Sequence, residues 1–184
     1  MARETRRPGV LSELGITRSA AIAVVIVIAL ALQSTLLTRA TLLGVIPQVL
    51  LVAVVSLAYL DGEYVGASTG FFGGLLQDLL IAGSITGLYA LVYTLVGYTV
   101  GSFRRFTSSS SVWMPVVVVM VSSAAAELGY AMLNILMGQR WVGLEDTAKV
   151  AGLVILYNTL LTPFVFPLVR RVADRYRPER VHQW

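Results

Sequence analysis

Six apolar segments, each about twenty residues long and separated by short polar connections, limit how this 184-residue chain can fold. Apolar and polar residues do not alternate in them, which argues against the strands of a membrane barrel. A backbone inside lipid must satisfy its own hydrogen bonds, so the segments are predicted to be helices. With 57% hydrophobic and 13% charged residues, an ordinary soluble domain is excluded. The predicted fold is an all-α integral membrane protein with six transmembrane helices, at about residues 19–38, 42–60, 64–82, 85–103, 112–137 and 147–169.

The basic residues predict the orientation of this transmembrane domain, which covers residues 19–169. A basic leader (residues 1–18) precedes it, and a basic tail (residues 170–184) follows it. With six spans, the leader, the tail and the loop that begins at Arg104 share one side, which carries eleven of the 14 lysines and arginines. Cytoplasmic loops carry the excess of basic residues, so both termini are predicted to be cytoplasmic. The three basic residues of the opposite side are Arg39, Arg140 and Lys149.

Several kinds of chemistry are excluded by the residues that are missing or misplaced. The chain has no cysteine, and its single histidine, His182, lies in the tail, so thiolate and intramembrane histidine metal sites are excluded. The spans contain no phosphate-binding glycine loop and no nucleophile–base pair. The net charge of +4 does not indicate nucleic acid, because the arginines stand at the ends of apolar segments. We therefore expect no enzyme activity and no cofactor, while the tail arginines either orient the protein or attract anionic lipid.

Glycines recur at every fourth position of the third segment. Gly62, Gly66, Gly70 and Gly74 are followed at the same spacing by Asp78. Small residues at this spacing let another helix approach closely, and Gly97 and Gly101 repeat the pattern on the fourth segment. Four residues turn a helix about 40° past one full turn, so a straight partner can follow only part of the stripe. The partner is either an internal helix or another chain.

Asp78, Glu127, Lys149 and Asn158 are predicted to lie inside the membrane, where polar residues cost free energy unless they have partners. Asp78 is expected either to be bonded by Ser84 or Thr86 at the next turn or to serve helix packing or partner docking, with Lys149 as a candidate ion-pair partner at a similar depth. Glu127, in the middle of the fifth segment, is expected to be protonated or bonded to a polar neighbour. The candidate neighbours are Tyr130 and Asn158.

Several stretches between residues 45 and 105 resemble the MreD family of bacterial rod shape-determining membrane proteins. Pro47 and Gln48 match the family's proline-plus-polar start of the second span, and Arg104-Arg105 matches a basic end after the fourth. The stretches between them are GFFGGLLQDLL at residues 70–80, GLYAL at 87–91 and VGYTVG at 96–101.

This resemblance implies a non-catalytic scaffold of the cell-elongation complex in the bacterial plasma (inner) membrane, which supports cell shape and peptidoglycan synthesis. It implies binding to the bitopic membrane protein MreC, with indirect links to MreB, RodA and the penicillin-binding transpeptidase that works with RodA. The family's fold is similar to the S component of energy-coupling-factor transporters. The glycine stripe and Asp78 would then serve packing and MreC docking.

An alternative function is the substrate-binding membrane subunit of a small-molecule, vitamin-type transporter. Such a subunit needs a cavity with convergent polar groups. Candidate lining residues are Gln33, Asp78, Glu127, Asn134 and Asn158. These residues are few and spread over different segments, which favours the scaffold.

Overall fold

The computed structural model describes residues 10–35, 45–81, 85–104, 113–138 and 143–176. The leader before Val10 and the tail after Tyr176 lie outside the described residues, as do Arg39 and Arg140. The all-helical prediction is confirmed. In chain order the helices are α1 (Val10–Thr35), α2 (Val49–Asp61), α3 (Glu63–Leu80), α4 (Leu88–Phe103), α5 (Met114–Leu136) and α6 (Leu144–Arg175).

Three of these helices contain segments long and apolar enough to cross a membrane, namely Gly15–Thr35, Met114–Leu136 and Thr147–Arg175. Helices α2 and α4 are apolar but shorter, with 13 and 16 residues. At 1.5 Å per residue they measure about 20 and 24 Å, against about 30 Å of hydrocarbon in a bilayer. The number of helices equals the predicted number of spans, and crossing by all six stays a prediction.

Helix α2 lies at the centre of the fold and contacts all five other helices. Leu50 and Val52 point to nearly opposite sides of the helix, and both are 0% exposed. The whole stretch from Val49 to Ala58 is buried. The other helices therefore enclose α2 and separate it from lipid.

Helix α2 begins at Val49 rather than near residue 42, where the second span was predicted to start. Pro47 disfavours helical geometry at Ile46, so the helix cannot extend back through this pair. The apolar character of the segment continues in a non-helical stretch, which hydropathy alone does not distinguish from helix.

The first and last helices extend beyond their predicted spans. Helix α1 begins at Val10, inside the predicted leader, and α6 continues to Arg175, inside the predicted tail. In α6 the additional turns are anchored because Val169 and Ala173 are buried in the core. A helix ends where its packing and capping end, while a hydropathy boundary marks only the end of the apolar stretch.

Helices α1 to α4 meet around the turn at Gly62. This glycine joins α2 directly to α3 with a φ of 99°, a conformation that L-residues with a side chain rarely adopt. Nearby, Arg18 Nη2 of α1 lies 3.0 Å from Asp61 Oδ2, whose side chain is 2% exposed. Arg104, just after α4, also approaches Gly62. The ion pair fixes the predicted cytoplasmic end of α1 against that of α2.

Candidate functional site

Helices α3 and α4 pack with their backbones in contact. A Cβ atom added at Gly66, Gly70 or Gly74 would come within 3.0 Å of the backbone of α4. Alanine, the smallest residue with a Cβ, would therefore already push the helices apart. The α4 residues whose backbone would be met are Gly97, Tyr93, Thr94, Tyr89 and Ala90.

The contact is reciprocal along α4. A Cβ at Gly97 would meet the Gly66 backbone, and one at Gly101 would meet the backbone of Gly62 and Glu63. We call this contact the glycine seam: Gly66, Gly70 and Gly74 of α3 with Gly97 and Gly101 of α4. Each step of four residues along α3 is matched by a step of four back along α4. Because such a stripe drifts around a straight helix, contact along its whole length requires the helices to coil about each other. The partner of these glycines is thus an internal helix.

Asp78 continues the seam and binds the amino-terminal end of α4. Its side chain is buried, and its carboxylate accepts hydrogen bonds from the backbone N–H groups of Gly87 (2.9 Å), Tyr89 (3.3 Å) and Ala90 (3.1 Å). The first N–H groups of a helix lack partners within the helix, and that end carries a partial positive charge. Asp78 therefore caps α4 from α3, where Gly87 at the cap position has no side chain to do so.

The structure does not bring Lys149 to Asp78, so the predicted ion pair is wrong. Lys149 Nζ lies 2.9 Å from Glu145 Oε1, and both side chains are mostly exposed. This pair is four residues apart on one helix and needs no contact with α3. Ser84 lies outside the described residues, and Asp78 accepts from the backbone amides of Gly87, Tyr89 and Ala90.

A second polar arrangement, the Gln48 network, lies where α2 begins. The backbone N–H of Gln48 donates to Asn158 Oδ1 (2.9 Å), and its Nε2 donates to Glu127 Oε1 (2.6 Å). Its Oε1 accepts from the Tyr93 hydroxyl (3.2 Å). Asn158 is 0% exposed and donates through Nδ2 to Ser123 Oγ (2.9 Å). One residue thus joins α4, α5 and α6 to the entry of α2.

Gln33 of α1 extends these contacts. Its Oε1 accepts from the backbone N–H of Leu50 at 3.2 Å, and its Nε2 lies 3.4 Å from Gln77 Oε1. Two orphan N–H groups at the start of α2, those of Gln48 and Leu50, are therefore satisfied by side-chain amides of α6 and α1. Non-helical backbone is tolerated inside a membrane only where protein or water satisfies it, and the network meets that requirement here.

Glu127 bonds to Gln48 rather than to Tyr130 or Asn158, the partners predicted from sequence. Gln48 bridges Glu127 to Asn158, while the Tyr130 ring stacks on Tyr89 with centroids 4.3 Å apart. Sequence reasoning missed Gln48, Tyr93 and Ser123 as members of the network. The available signal was an amide side chain directly after a proline in an apolar segment, a place where a polar residue needs a partner.

The network's chemistry is hydrogen bonding among one carboxyl group, amides and hydroxyls. Within the described ranges, no group of three or more His, Asp or Glu side chains gathers to hold a metal ion. The residues that the network brings together are donors and acceptors that hold helices in place.

Replacing Asn158 with leucine should destabilise the protein by about 2 kcal/mol, since the buried Gln48 N–H loses its acceptor and Ser123 loses its donor. Thr159→Val on the same helix is the control, because the Thr159 hydroxyl bonds only its own helix through the Ile155 carbonyl. The measurement is thermal unfolding of both variants in detergent. Equal midpoints for the two variants would show that the network contributes no stability.

A model of the family described as rod shape-determining protein MreD matches residues 16–172 of the chain. No curated protein and no solved structure matches the chain. The family match begins in α1 and ends in α6, so it includes the glycine seam, Asp78 and the whole Gln48 network.

Proposed function

The chain belongs to the MreD family of rod shape-determining proteins, and we propose that it is a non-catalytic scaffold of the bacterial cell-elongation complex. Family membership indicates a role in rod shape determination, and this family is one of structural proteins rather than enzymes. The proposal adds a location in the plasma (inner) membrane and support of peptidoglycan synthesis. The observation that carries it is the family match over residues 16–172, which extends the resemblance seen between residues 45 and 105.

The proposed direct partner is MreC, with indirect links to MreB, RodA and the penicillin-binding transpeptidase. The filled interior supports a scaffold, because α2 occupies the centre of the fold. Helix α4 covers the glycine stripe, and the N–H groups of α4 engage Asp78. We therefore propose that MreC binds a different face from the one suggested by the glycine spacing.

We propose that both termini are cytoplasmic. Support comes from the end of the fold where the Arg18–Asp61 ion pair and Arg104 meet near Gly62. Arg170, Arg171 and Arg175 at the end of α6 add positive charge to the chain's C-terminal region. Basic side chains next to a membrane favour the cytoplasmic side, and those of α6 are suited to anionic lipid headgroups.

Affinity purification of the tagged chain, after crosslinking in the native membrane, tests the proposed function. We expect MreC to be recovered together with RodA-type wall enzymes, at levels at least tenfold above an unrelated tagged six-helix membrane protein. The unrelated protein is the control, because it shows how much material binds nonspecifically to an apolar membrane protein. Recovery of an ATPase pair with a coupling membrane subunit, and no MreC, would contradict the scaffold.

A transporter subunit of the S-component type is the second candidate function. The observation that favours it is the convergence of Gln48, Glu127 and Asn158, which sequence alone places on three separate segments. These groups mostly bond one another and cap α2, which is why the scaffold remains our proposal. We also propose that the fold is similar to that of S components, as the resemblance to the MreD family implies.

A further inference from the structure

The second half of α5 is less buried by the other helices than the first half. Its buried residues, Pro115, Val119, Ser122, Ser123 and Ala126, all precede Glu127. From residue 127 to residue 138 each position is half-buried or exposed. The packing of α5 against the rest of the described chain therefore loosens at Glu127, although the helix remains within an apolar segment long enough to cross a membrane.

Polar side chains continue the buried face of α5 into this open half. Ser123, Glu127, Tyr130 and Asn134 follow one another at spacings of four, three and four residues, so they share one face. Ser123 is fully buried, whereas the other three are half-buried. A polar face that begins in the core thus emerges beside the entry of α2.

This face presents acceptors that the described residues leave open. Gln48 donates to Oε1 of Glu127, and no described residue bonds Oε2. About two turns further along α5, Asn134 donates to the Tyr130 carbonyl, and its own side-chain oxygen receives no donor from the described chain. A carboxyl oxygen in such an apolar setting is costly unless a donor or a positive charge faces it.

Two aromatic rings lie near the Glu127 side chain. Tyr130 lies one turn beyond Glu127, and its ring stacks on Tyr89 with an interplanar angle of 24°. A carboxyl group next to aromatic faces is the combination that recognises organic cations, through an ion pair and cation–π attraction. Gln48 holds the carboxyl group in place from the core side, so the site is oriented before anything binds.

We infer that Glu127, with Tyr89, Tyr130 and Asn134 around it, binds an ammonium or guanidinium group. The group is either a basic side chain of a partner chain or a free organic amine. The first source rests on the proposed scaffold function, since the partner chain would then belong to the elongation complex. Positive charge at Glu127 would complete the Gln48 network, which ends on this carboxyl group.

Site-directed crosslinking tests whether the bound group is a side chain of a partner chain. Because the chain has no cysteine, a probe on an introduced cysteine is attached at one position only. Ala131→Cys, one turn past Glu127, carries a benzophenone maleimide in native membranes. Leu160→Cys on α6, where Leu160 is 59% exposed, carries the same probe as the matched control. We expect an adduct with another protein from the Ala131 position that falls at least tenfold when Glu127→Gln is added. Glutamine preserves the bond to Gln48 but removes the charge, so folding is retained.

Ligand binding to the purified full-length protein tests the free-amine source. Benzylamine should raise the thermal midpoint of the wild type by several degrees and leave the Glu127→Gln variant unchanged, while benzyl alcohol should shift neither. A Glu127-dependent adduct or a Glu127-dependent shift supports the cation site and identifies its source. Absence of both, or effects that persist in Glu127→Gln, would overturn it. Recovery of MreC with the Glu127→Gln variant would show that the proposed scaffold function does not depend on the cation site at Glu127.

Discussion

Replacing Gly70 with leucine is expected to prevent α3 and α4 from packing, with a loss of at least about 3 kcal/mol of stability. A Cβ at this position would come within 3.0 Å of the Tyr93 carbonyl and the Thr94 amide nitrogen. Both are backbone atoms, which cannot rotate away as a side chain can. The helices must separate, and the seam contacts on either side are lost as well. The measurements are the monodisperse fraction in size-exclusion chromatography and the thermal midpoint in detergent.

Gly152→Leu on α6 is the matched control for this substitution. A Cβ at Gly152 would have no atom within 4 Å, so the same change of side chain should leave the midpoint nearly unaltered. Gly70→Ala should fall between the two, because it introduces the Cβ clash without the larger side chain. A Gly70→Leu protein that remains monodisperse with a wild-type midpoint would disprove the close approach of the helices.

Replacing Asp78 with alanine is expected to cost about 3 kcal/mol, because three backbone N–H groups at the start of α4, including that of the cap residue Gly87, lose their common acceptor. The carboxylate also lies at the positive end of the helix dipole, and that attraction is lost too. Asp78→Asn keeps one oxygen that can accept, so it should recover part of the stability. Thermal unfolding of the two variants in the same detergent gives the difference.

Glu145→Ala is the control, since Glu145 pairs with Lys149 on an exposed helix surface. Exposed ion pairs contribute little, so this variant should unfold close to the wild type. If the Asp78→Ala variant had the same thermal midpoint as the Glu145→Ala variant, the cap on α4 would contribute no stability. Equal losses for Asp78→Ala and Asp78→Asn would assign the effect to charge alone.

The glycine seam was predictable in part because it rests on a local rule. Glycines four residues apart permit close approach whatever the partner is, and Gly66, Gly70 and Gly74 do meet another backbone. The identity of the partner depends on the turn between α3 and α4, which the spacing does not encode. The cap from Asp78 depends on the same turn. The sequence therefore identified Asp78 as a candidate site residue but did not predict that its donors are backbone amides at the start of α4.

The enclosure of α2 could not be read from hydropathy. Val24 of α1 and Val52 of α2 stand in similarly apolar segments, yet Val24 is 55% exposed and Val52 is 0% exposed. Lipid and protein interior are both apolar, so a hydropathy scale assigns them the same value. The Gln48 network was hidden for a different reason, because its bonds join residues 79 and 110 positions apart in the chain.

The bond between Gln48 and Asn158 also bears on how the protein is made. Synthesis delivers α2 to the membrane long before α6, which carries the amide oxygen that receives the Gln48 N–H. Until then, the Gln48 N–H at the start of this short helix lacks its acceptor, although Gln33 of α1 is already available to the Leu50 N–H. Insertion of the last helix therefore closes the structure around the second. Chains that stop before α6 leave the ribosome with this defect, and we expect membrane proteases to remove them.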